Sequence, residues 1–411
     1  MNNKLNDYQL PVIYNTWLCN FDEITPELLK NQIDEAAKLG AEYFVIDAGW
    51  FGEGADWSSS VGDWYEKPAG RLNMRLREVS DYSRDNGLKF GLWLELERAV
   101  GECESVKNNP DYYIYENGTY FLNFAKAEAR EFLLKAINDL KTKYNIEFLK
   151  FDFNADLSYD PSRTSFLEYY LGYEAFIKEL KRRFPEIYLE NCASGGMRMS
   201  LSACSDFDSF WPTDCQSPYE GLRIFKDTLL RFPPQMFEKW VTIKSLENFS
   251  PNYPVLSPGN ERILATNDAC WNDIRGVYLD FLKGYMLGGP ICFSCDLTKL
   301  SAKLKKEIKG IIEEFKKEHE FWKNAVCRKL TDTESMLVLE YSDMAKETIK
   351  IQVFSLKRTQ NYITVYPNID TDADYVSTDG KVYLNAELKE GIDIEIKNCY
   401  RMSELNLKKV N

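Results

Sequence analysis

Short apolar runs alternate with amphipathic stretches over the first three-quarters of the chain. The runs that predict strands are Val12–Trp17, Tyr43–Asp47, Lys89–Leu94, Glu147–Asp152, Ile187–Asn191, Ser209–Trp211, a run near Val241, and Pro290–Ser294. Apolar residues at helical spacing predict helices between them, including 25–40, 128–143 and 166–183. Eight such alternations over about 300 residues favour a parallel (β/α)₈ TIM barrel. A doubly wound open sheet is the alternative, although no Gly-rich dinucleotide loop follows the first strand.

The pattern changes after a charged helix predicted for residues 303–323. Short alternating strands joined by turns such as Thr378-Asp379-Gly380 follow, at 336–340, 348–354, 362–366, 382–384 and 392–396. Such spacing is typical of a small antiparallel sandwich. We therefore predict a barrel over residues 1–324 and a C-terminal antiparallel β-sandwich domain over residues 325–411.

The charge of the chain narrows the class of partner. The formal net charge is −13, the wrong sign for a protein that binds nucleic acid or an anionic membrane. The N-terminus lacks the apolar stretch of a signal peptide, and no segment approaches the roughly 20 apolar residues of a spanning helix. We expect a cytoplasmic protein that binds a small neutral molecule, with homo-oligomerisation left open.

The inventory of histidine and cysteine restricts the chemistry. The chain has one histidine, His319, and ten scattered cysteines. Catalytic triads and His-rich metal sites are thereby disfavoured. Cys292 and Cys295 lie inside an apolar run, which favours free thiols over a zinc site or a disulfide. The chemistry must then use carboxylates, lysines, tyrosines or thiols.

Polar residues and tryptophans follow the ends of the predicted strands. In a barrel these positions converge on one mouth, where catalysis occurs. A pocket rich in carboxylates and indoles suits a neutral sugar, although any single aspartate among them could instead cap the following helix. The residues are Trp17, Asp47, Trp93, Glu95, Asp152, Glu190, Asn191, Cys192 and Asp214.

The segment 149–154 carries the clearest signal. Lys150, Asp152 and Asn154 alternate with apolar residues, which places all three on the same side of a strand. A lysine beside the aspartate stabilises its ionised form, as a nucleophile requires. The alternative is a buried ion pair without catalytic function.

Asp214 is the candidate for a second carboxyl group. Glycosidic cleavage with retention needs two carboxyl groups about 5–5.5 Å apart. Asp214 follows the sixth predicted strand, two strands round from Asp152. Asp206 and Asp208 compete for the role, but they precede or begin that strand and should point to the opposite end of the barrel.

The loop from Cys192 to Arg198 has the composition of a ligand-binding turn. Gly195 and Gly196 allow the backbone to approach a ligand closely. Arg198 offers a fork of donors for hydroxyls or a carboxylate. A Gly-Gly turn before a helix is also ordinary loop structure, so the loop alone decides nothing.

Taken together, these segments resemble the melibiase-like α-galactosidases, glycoside hydrolase family 36 and its clan. The likeness is ordered along the chain and covers roughly residues 10–300. The matching segments are Asn15-Thr16-Trp17, Asp47-Ala48-Gly49-Trp50-Phe51-Gly52, Gly62-Asp63-Trp64, Lys89 to Glu97, Leu149 to Asn154, Glu190 to Arg198 and Trp211-Pro212-Thr213-Asp214.

The resemblance implies a retaining exo-α-glycosidase that needs neither a metal nor an organic cofactor. Asp152 would be the nucleophile and Asp214 the acid/base. Asp47 and Lys150 would bind ring hydroxyls. The remaining residues implied to bind or enclose the sugar are Trp17 and Trp93 as walls of the pocket, Cys192, Ser194, Gly195 and Arg198 around the 2-substituent, and Asn154 and Trp211 in the matching motifs.

Several positions depart from the family pattern. Ala48 stands where the family has the second of two aspartates that hold the 4- and 6-hydroxyls of galactose, so a hydroxyl would lose an acceptor at a cost of about 1–3 kcal/mol. Met197 replaces a glycine near the 2-position, and Phe151 replaces a tryptophan. Family members usually carry a large N-terminal β domain, to which no part of this sequence corresponds.

Other functions stay open on the sequence. A transglycosidase of the same clan would use the same two aspartates with a sugar acceptor in place of water. A sugar-binding pseudoenzyme fits the loss of an aspartate at Ala48, and a metal-dependent barrel enzyme is a further class. For the sugar itself, galactosamine derivatives, pentopyranoses lacking C6 and deoxy sugars are all compatible.

Overall fold

The computed structural model describes residues 9–155, 157, 165–214, 218–243, 277–357 and 360–410. The chain forms two compact units. The N-terminal unit comprises Pro11–Asp214 and Cys292–Lys309, and the C-terminal unit comprises Met1–Leu10, Cys215–Ile291 and Gly310–Asn411. The domain boundary between residues 324 and 325 stays a prediction.

Eight of the strands described in the first three-quarters of the chain correspond to the predicted runs, and three short ones do not. The strands are β1 Val12–Asn15, β2 Tyr43–Ile46, β3 Lys89–Leu94, β4 Arg98–Ala99, β5 Tyr113–Glu116, β6 Thr119–Leu122, β7 Ile146–Phe151, β8 Tyr188–Asn191, β9 Ser209–Phe210, β10 Lys239–Thr242 and β11 Ile291–Ser294. The predicted strand Pro290–Ser294 is confirmed except at its first residue, because β11 begins at Ile291.

Helices connect these strands and continue beyond them. They are α1 Trp17–Asn20, α2 Pro26–Leu39, α3 Leu76–Asp85, α4 Glu104–Asn108, α5 Ala127–Tyr144, α6 Ser165–Arg183, α7 Pro218–Thr228, α8 Leu279–Met286, α9 Ala302–Lys317, α10 His319–Asn324 and α11 Asn385–Glu390. The charged helix predicted over 303–323 is two helices, since α9 ends at Lys317 and α10 begins at His319. Among the described helices, none has the length and apolar content needed to cross a membrane.

Helix α2 shows how local sequence sets the element boundaries. The Thr25 hydroxyl accepts a hydrogen bond from the Leu28 amide at 3.1 Å, and Pro26 occupies the first helical position. Gly40 ends the helix with a φ of 96°, a left-handed conformation that favours glycine. Leu29 and Ile33 are buried on the inner face, so the predicted helix is confirmed at both ends.

The sheet of the N-terminal unit runs in the order β11-β1-β2-β3-β7-β8-β9. Every neighbouring pair from β1 to β9 is parallel. Trp93 on β3 is in register with Lys150 on β7, and Lys150 with Glu190 on β8. Parallel strands end at the same edge, so the residues that follow them lie near one another.

A small antiparallel sheet, in the order β4-β6-β5, lies between β3 and α5 in the chain. The sequence did not predict it. Its first strand has only two residues, Arg98 and Ala99, too few for an alternating pattern to be recognised. This insertion brings Arg98 beside the end of β3.

The C-terminal unit contains the predicted antiparallel β structure. Its strands are β12 Val326–Asp332, β13 Met336–Ser342, β14 Thr348–Ser355, β15 Tyr362–Val365, β16 Tyr375–Ser377, β17 Val382–Tyr383, β18 Ile392–Glu395 and β19 Arg401–Lys409. Six form a sheet in the order β12-β13-β14-β19-β16-β17, and β15 pairs with β18. A buried cluster that includes Val338, Ile351, Ile394 and Leu407 fills its core. The sequence missed β12, β16 and β19.

Candidate active site

Asp152 lies directly beyond the end of β7, and only 9% of its surface is exposed. Its Oδ1 accepts hydrogen bonds from the amides of Phe153 at 2.8 Å and Ser194 at 3.1 Å. Its Oδ2 accepts from Trp93 Nε1 at 3.1 Å and Asn154 Nδ2 at 2.8 Å. A carboxylate accepts about four hydrogen bonds, so these donors fix the orientation of both oxygens.

These surroundings keep Asp152 ionised. Burial acts to raise the pKa of the carboxyl group, but the charge of Lys150 and hydrogen bonds from Asn154, Cys192 and Trp93 outweigh it, and the pKa is lowered. An anionic carboxylate held by fixed donors is the form that attacks an electrophilic carbon.

Lys150 is buried on β7 and pairs first with Asp47. Its Nζ donates to Asp47 Oδ2 at 3.0 Å and lies 4.0 Å from Glu190 Oε1. The ammonium group also sits 3.4 Å from the centre of the Trp211 ring. Burial works against its charge, but neighbouring Asp47, Cys192, Glu190 and Asp152 raise the pKa of Lys150 well above its usual value. Lys150 therefore supplies a permanent positive charge to the site.

Asp47 follows β2 and is held by three donors. Asn15 Nδ2 and Lys150 Nζ both donate to its Oδ2, at 2.7 and 3.0 Å. The amide of Ala48 donates to its Oδ1 at 2.9 Å. Because each carboxylate oxygen accepts about two hydrogen bonds, Oδ1 has room for one more donor. Asp47 is thus oriented by its neighbours and retains one acceptor position.

Asp214 follows β9 and has the opposite electrostatic environment to Asp152. Trp211 Nε1 donates to its Oδ1 at 2.9 Å. Burial and the nearby charge of Asp152 raise the pKa of Asp214 to about 7, although Lys150 and the Trp211 hydrogen bond act to lower it. The carboxyl group can therefore hold or release a proton near neutral pH.

The loop after β8 brings backbone to both aspartates. Ser194 has a φ of 43° and directs its amide to Asp152 Oδ1. Gly195 has a φ of 84°, and a Cβ there would lie 2.9 Å from Thr213 Cα and 3.1 Å from the Asp214 amide nitrogen. The glycine is needed because the loop touches the segment that carries Asp214. Cys192 is buried, and burial together with the charge of Asp152 raises the pKa of its thiol.

Arg198 is engaged by neighbours that the sequence did not single out. Its Nη2 lies 2.5 Å from Glu97 Oε1, and its guanidinium group packs over the rings of Tyr173 and Phe153 at 4.7 and 5.2 Å. Glu97 Oε2 in turn accepts from the Tyr169 hydroxyl at 2.7 Å. A role for Arg198 at the 2-substituent stays a prediction.

Three tryptophans form a continuous aromatic wall. Trp57 meets Trp17 edge-on with ring centroids 6.3 Å apart and Trp93 at 5.3 Å. The sequence marked Trp17 and Trp93 but missed Trp57, which lies in a 3₁₀ turn rather than after a strand. A tryptophan in a polar segment of Asp and Ser was the available signal.

The competing aspartate Asp208 lies at the beginning of β9, as expected. Its Oδ2 accepts from the Leu189 amide at 2.8 Å and pairs with Lys181 of α6. Within the described ranges, no group of three or more metal-ligating side chains is placed to hold an ion. Cys292 and Cys295 are buried cysteines in the reduced form.

Comparison with known sequences identifies relatives. The family model described as Melibiase matches residues 1–250. Alpha-galactosidase Mel36A of Lactobacillus acidophilus is 31% identical over 339 residues, which cover 77% of this chain and 42% of that protein. The chain thus spans about two-fifths of the length of this curated relative.

Comparison with solved structures confirms the predicted fold, a (β/α)₈ barrel with a C-terminal antiparallel β domain. The GH36 alpha-galactosidase AgaA from Geobacillus stearothermophilus matches with a TM-score of 0.84 and 21% identity, over 98% of this chain and 56% of that one. A variant of AgaA in complex with raffinose matches with a TM-score of 0.82 and 20% identity, over the same shares. Since the family model covers more than half of the 411 residues, this chain belongs to the melibiase family.

Proposed function

We propose that this chain is a retaining exo-α-glycosidase that acts on α-galactoside-like sugars, with Asp152 as nucleophile and Asp214 as acid/base. The observation that carries the proposal is the opposite displacement of two pKa values at one end of a parallel sheet. The pKa of Asp152 is lowered, whereas that of Asp214 is raised to about 7. Such a division between neighbouring carboxyl groups is how glycosidases assign the two roles.

The reaction proceeds in two displacements. Asp152 attacks the anomeric carbon while Asp214 transfers its proton to the departing glycosidic oxygen, which leaves a covalent glycosyl-enzyme. Asp214, now ionised, removes a proton from water, and the water oxygen displaces Asp152 from the anomeric carbon. The sugar keeps its anomeric configuration, and both carboxyl groups return to their initial protonation states.

The other side chains bind the sugar. Asp47 Oδ1 accepts one hydroxyl, and Lys150 holds the other oxygen of that carboxylate through a hydrogen bond to Oδ2. The aromatic wall of Trp17, Trp57 and Trp93 covers the apolar faces of the sugar rings. Cys192, Ser194, Gly195 and Arg198 enclose the 2-substituent, and Asn154 and Trp211 orient the two catalytic carboxyl groups.

The relatives support the substrate class. Mel36A is named an alpha-galactosidase, and an AgaA variant was solved with raffinose. We infer that a terminal α-galactosyl unit or a close analogue occupies the site, and that neither a metal nor an organic cofactor takes part. Ala48 leaves the hydroxyls around C4 and C6 with one acceptor fewer than in the family pattern, so relative activity among sugars differing there is the informative measurement. A cytoplasmic location stays a prediction.

The test is hydrolysis of p-nitrophenyl glycosides by the wild-type chain, Asp152→Ala and Asp214→Ala. The panel holds the α-galactoside, N-acetyl-α-galactosaminide, β-L-arabinopyranoside and α-glucoside. Asp139→Asn, which removes a carboxylate from an exposed pair with Lys135, is the control and should retain full activity. Azide distinguishes the two roles. It should rescue Asp152→Ala with formation of the β-glycosyl azide, and Asp214→Ala with formation of the α-glycosyl azide.

Silence of the folded wild-type chain across the panel would contradict the proposal and leave a sugar-binding protein as the better account. Turnover that survives Asp152→Ala without azide would contradict the assignment of the nucleophile. Adding a galactosyl acceptor such as sucrose separates hydrolysis from transfer, since a transglycosidase would form a trisaccharide in preference to free sugar.

A further inference from the structure

Glu95 and Arg98 form a buried ion pair beside the nucleophile. Arg98 Nε donates to Glu95 Oε1 at 3.0 Å, and its Nη2 donates to Oε2 at 2.7 Å. The Glu95 side chain is fully buried, and that of Arg98 is 16% exposed. A two-point contact of this kind fixes both side chains in orientation as well as in position.

The pair contacts the segment that follows Asp152. Glu95 Oε1 also accepts a hydrogen bond from the backbone amide of Asn154 at 2.6 Å. Asn154 then directs its Nδ2 to Asp152 Oδ2 at 2.8 Å and accepts the Ser194 hydroxyl on its Oδ1 at 2.9 Å. A continuous chain of hydrogen bonds therefore runs from Arg98 through Glu95 and Asn154 to the nucleophile.

We infer that Glu95 and Arg98 are positioning residues, which hold Asn154 so that Asp152 presents its carboxylate in the reactive orientation; the inference rests on the proposed function. Neither residue needs to touch the substrate. Their effect passes through the backbone of Asn154, whose side chain is exposed and would otherwise be free to turn away. Arg98 also packs over the ring of Trp57 at 5.7 Å, so the pair links the nucleophile segment to the aromatic wall.

Electrostatics gives this pair a measurable signature. Burial raises the pKa of Glu95, Arg98 counteracts that effect, and the charge of Asp152 raises it further. Glu95 and Asp152 are thus close enough for each charge to disfavour the other. The remaining charged or titratable groups that influence Asp152 are Lys150 on its own strand, and Cys192 and Asp214 on neighbouring segments.

The central variant is Glu95→Gln, which keeps an oxygen for the Asn154 amide but removes the charge. Glu179→Gln is the matched control, because Glu179 is bound by Arg182 with the same two-point geometry, at 2.8 and 2.7 Å, on the exposed surface of α6. Arg98→Lys keeps the positive charge and loses the fork. For each, kcat and KM are measured against pH with the best substrate of the panel, and the pKa of Asp152 is measured by carbon NMR of labelled aspartate.

In Glu95→Gln the pKa of Asp152 should fall, and kcat at the optimum should drop at least about 10-fold with KM changed less than about threefold. Arg98→Lys should lower kcat by a similar factor while the Asp152 pKa stays near the wild-type value. Glu179→Gln should change neither.

An unchanged kcat and Asp152 pKa in folded Glu95→Gln would overturn the inference. A loss of activity in Glu95→Gln that is fully explained by a lower melting temperature would also overturn the inference. The NMR titration keeps the two proposals separable, because it reports on Asp152 even if no glycoside of the panel is hydrolysed. Inactivity of the wild-type chain would contradict the proposed function, whereas an unmoved Asp152 pKa in Glu95→Gln would contradict the role of the pair.

Discussion

The indole N–H of Trp93, near the end of β3, donates a hydrogen bond of 3.1 Å to Oδ2 of Asp152, the residue that follows β7. The same ring lies edge-on to Trp57. One side chain therefore both stabilises the anion and forms part of the aromatic wall. A substitution that removes the N–H but keeps an aromatic ring at this position separates these two contributions.

Trp93→Phe should raise the pKa of Asp152 and lower kcat. A hydrogen bond to a charged group contributes about 1.5–3 kcal/mol, which corresponds to roughly 10- to 150-fold in rate if it acts in the reaction. Because the lost donor favoured the ionised form, the acidic limb of the kcat/KM profile should move to higher pH. Trp50→Phe is the control, since Trp50 donates to the Trp93 carbonyl instead. An acidic limb at the same pH in Trp93 and Trp50 variants would contradict the role of the N–H.

The basic limb of the profile of kcat/KM against pH should lie near pH 7 and should shift when Trp211 is replaced. Asp214 must be protonated to act as acid, and its pKa is raised to about 7. The Trp211 N–H favours the ionised form, so Trp211→Phe should raise that pKa and move the basic limb to higher pH. Trp64→Phe, whose ring packs against Phe51 at 4.8 Å, should leave the limb in place. A downward shift in the Trp211 variant would contradict the assignment of Asp214.

Lys150→Met should destabilise the fold as well as the site. Removing one partner of a buried pair typically costs about 3–5 kcal/mol, because the other charge is left without compensation. Here Asp47 would lose the donor at 3.0 Å and keep only Asn15 and the Ala48 amide. The free energy of unfolding in urea measures the loss. Lys135→Met, in an exposed pair with Asp139, should change it by less than about 1 kcal/mol, and equal losses in the two variants would show that burial of the pair is unimportant.

Much of this fold is predictable from the sequence because the signals are local. Strand β3 begins and ends where its apolar run does, at Lys89 and Leu94, and α2 carries its own capping residues. The strand ends then identify Asp47 and Asp152 without any three-dimensional information, because a parallel sheet collects them at one edge.

The sequence did not predict which charged side chains pair between segments that are distant in the chain. The alternation of residues 150 to 154 placed Lys150 beside Asp152, but the Lys150 ammonium donates its hydrogen bond to Asp47, two strands away. Arg198 was expected to bind hydroxyls or a carboxylate, but the sequence did not indicate that the carboxylate would be that of Glu97. Such pairs depend on strand register and on the paths of loops between distant segments. The local hydrophobic periodicity of the sequence carries no information about either.

Ala48→Asp should redirect substrate preference. Ala48 is buried beside Asp47, and the family pattern has a second aspartate there. A restored acceptor should favour sugars that carry the C6 hydroxymethyl group. The ratio of kcat/KM for the α-galactoside to kcat/KM for the β-L-arabinopyranoside should therefore rise by about 10-fold. Ala48→Val adds comparable bulk without an acceptor and should not raise the ratio. If Ala48→Asp leaves this ratio unchanged, the side chain at position 48 does not contribute to recognition of the C6 hydroxymethyl group.

Gly195→Ala tests whether the loop after β8 must touch the Asp214 segment. Gly195 has a φ of 84°, and a Cβ would come within 2.9 Å of Thr213 Cα, closer than such atoms normally approach. Gly87 is the matched control. Its φ of 79° imposes a similar strain, but nothing lies within 4 Å of a Cβ there. Both alanine variants should therefore lose about 1 kcal/mol of stability from the left-handed conformation.

Only Gly195→Ala should also displace Asp214, since its backbone must move away from the loop. Its kcat should fall by about 10- to 100-fold, as expected when an acid is misplaced by several tenths of an ångström, while Gly87→Ala keeps wild-type kcat. Unfolding in urea reports the shared strain, and kcat on the α-galactoside reports the contact. Equal kcat values in the two variants would mean that the loop accommodates the extra carbon without moving Asp214, and that the close approach at Gly195 is not required for catalysis.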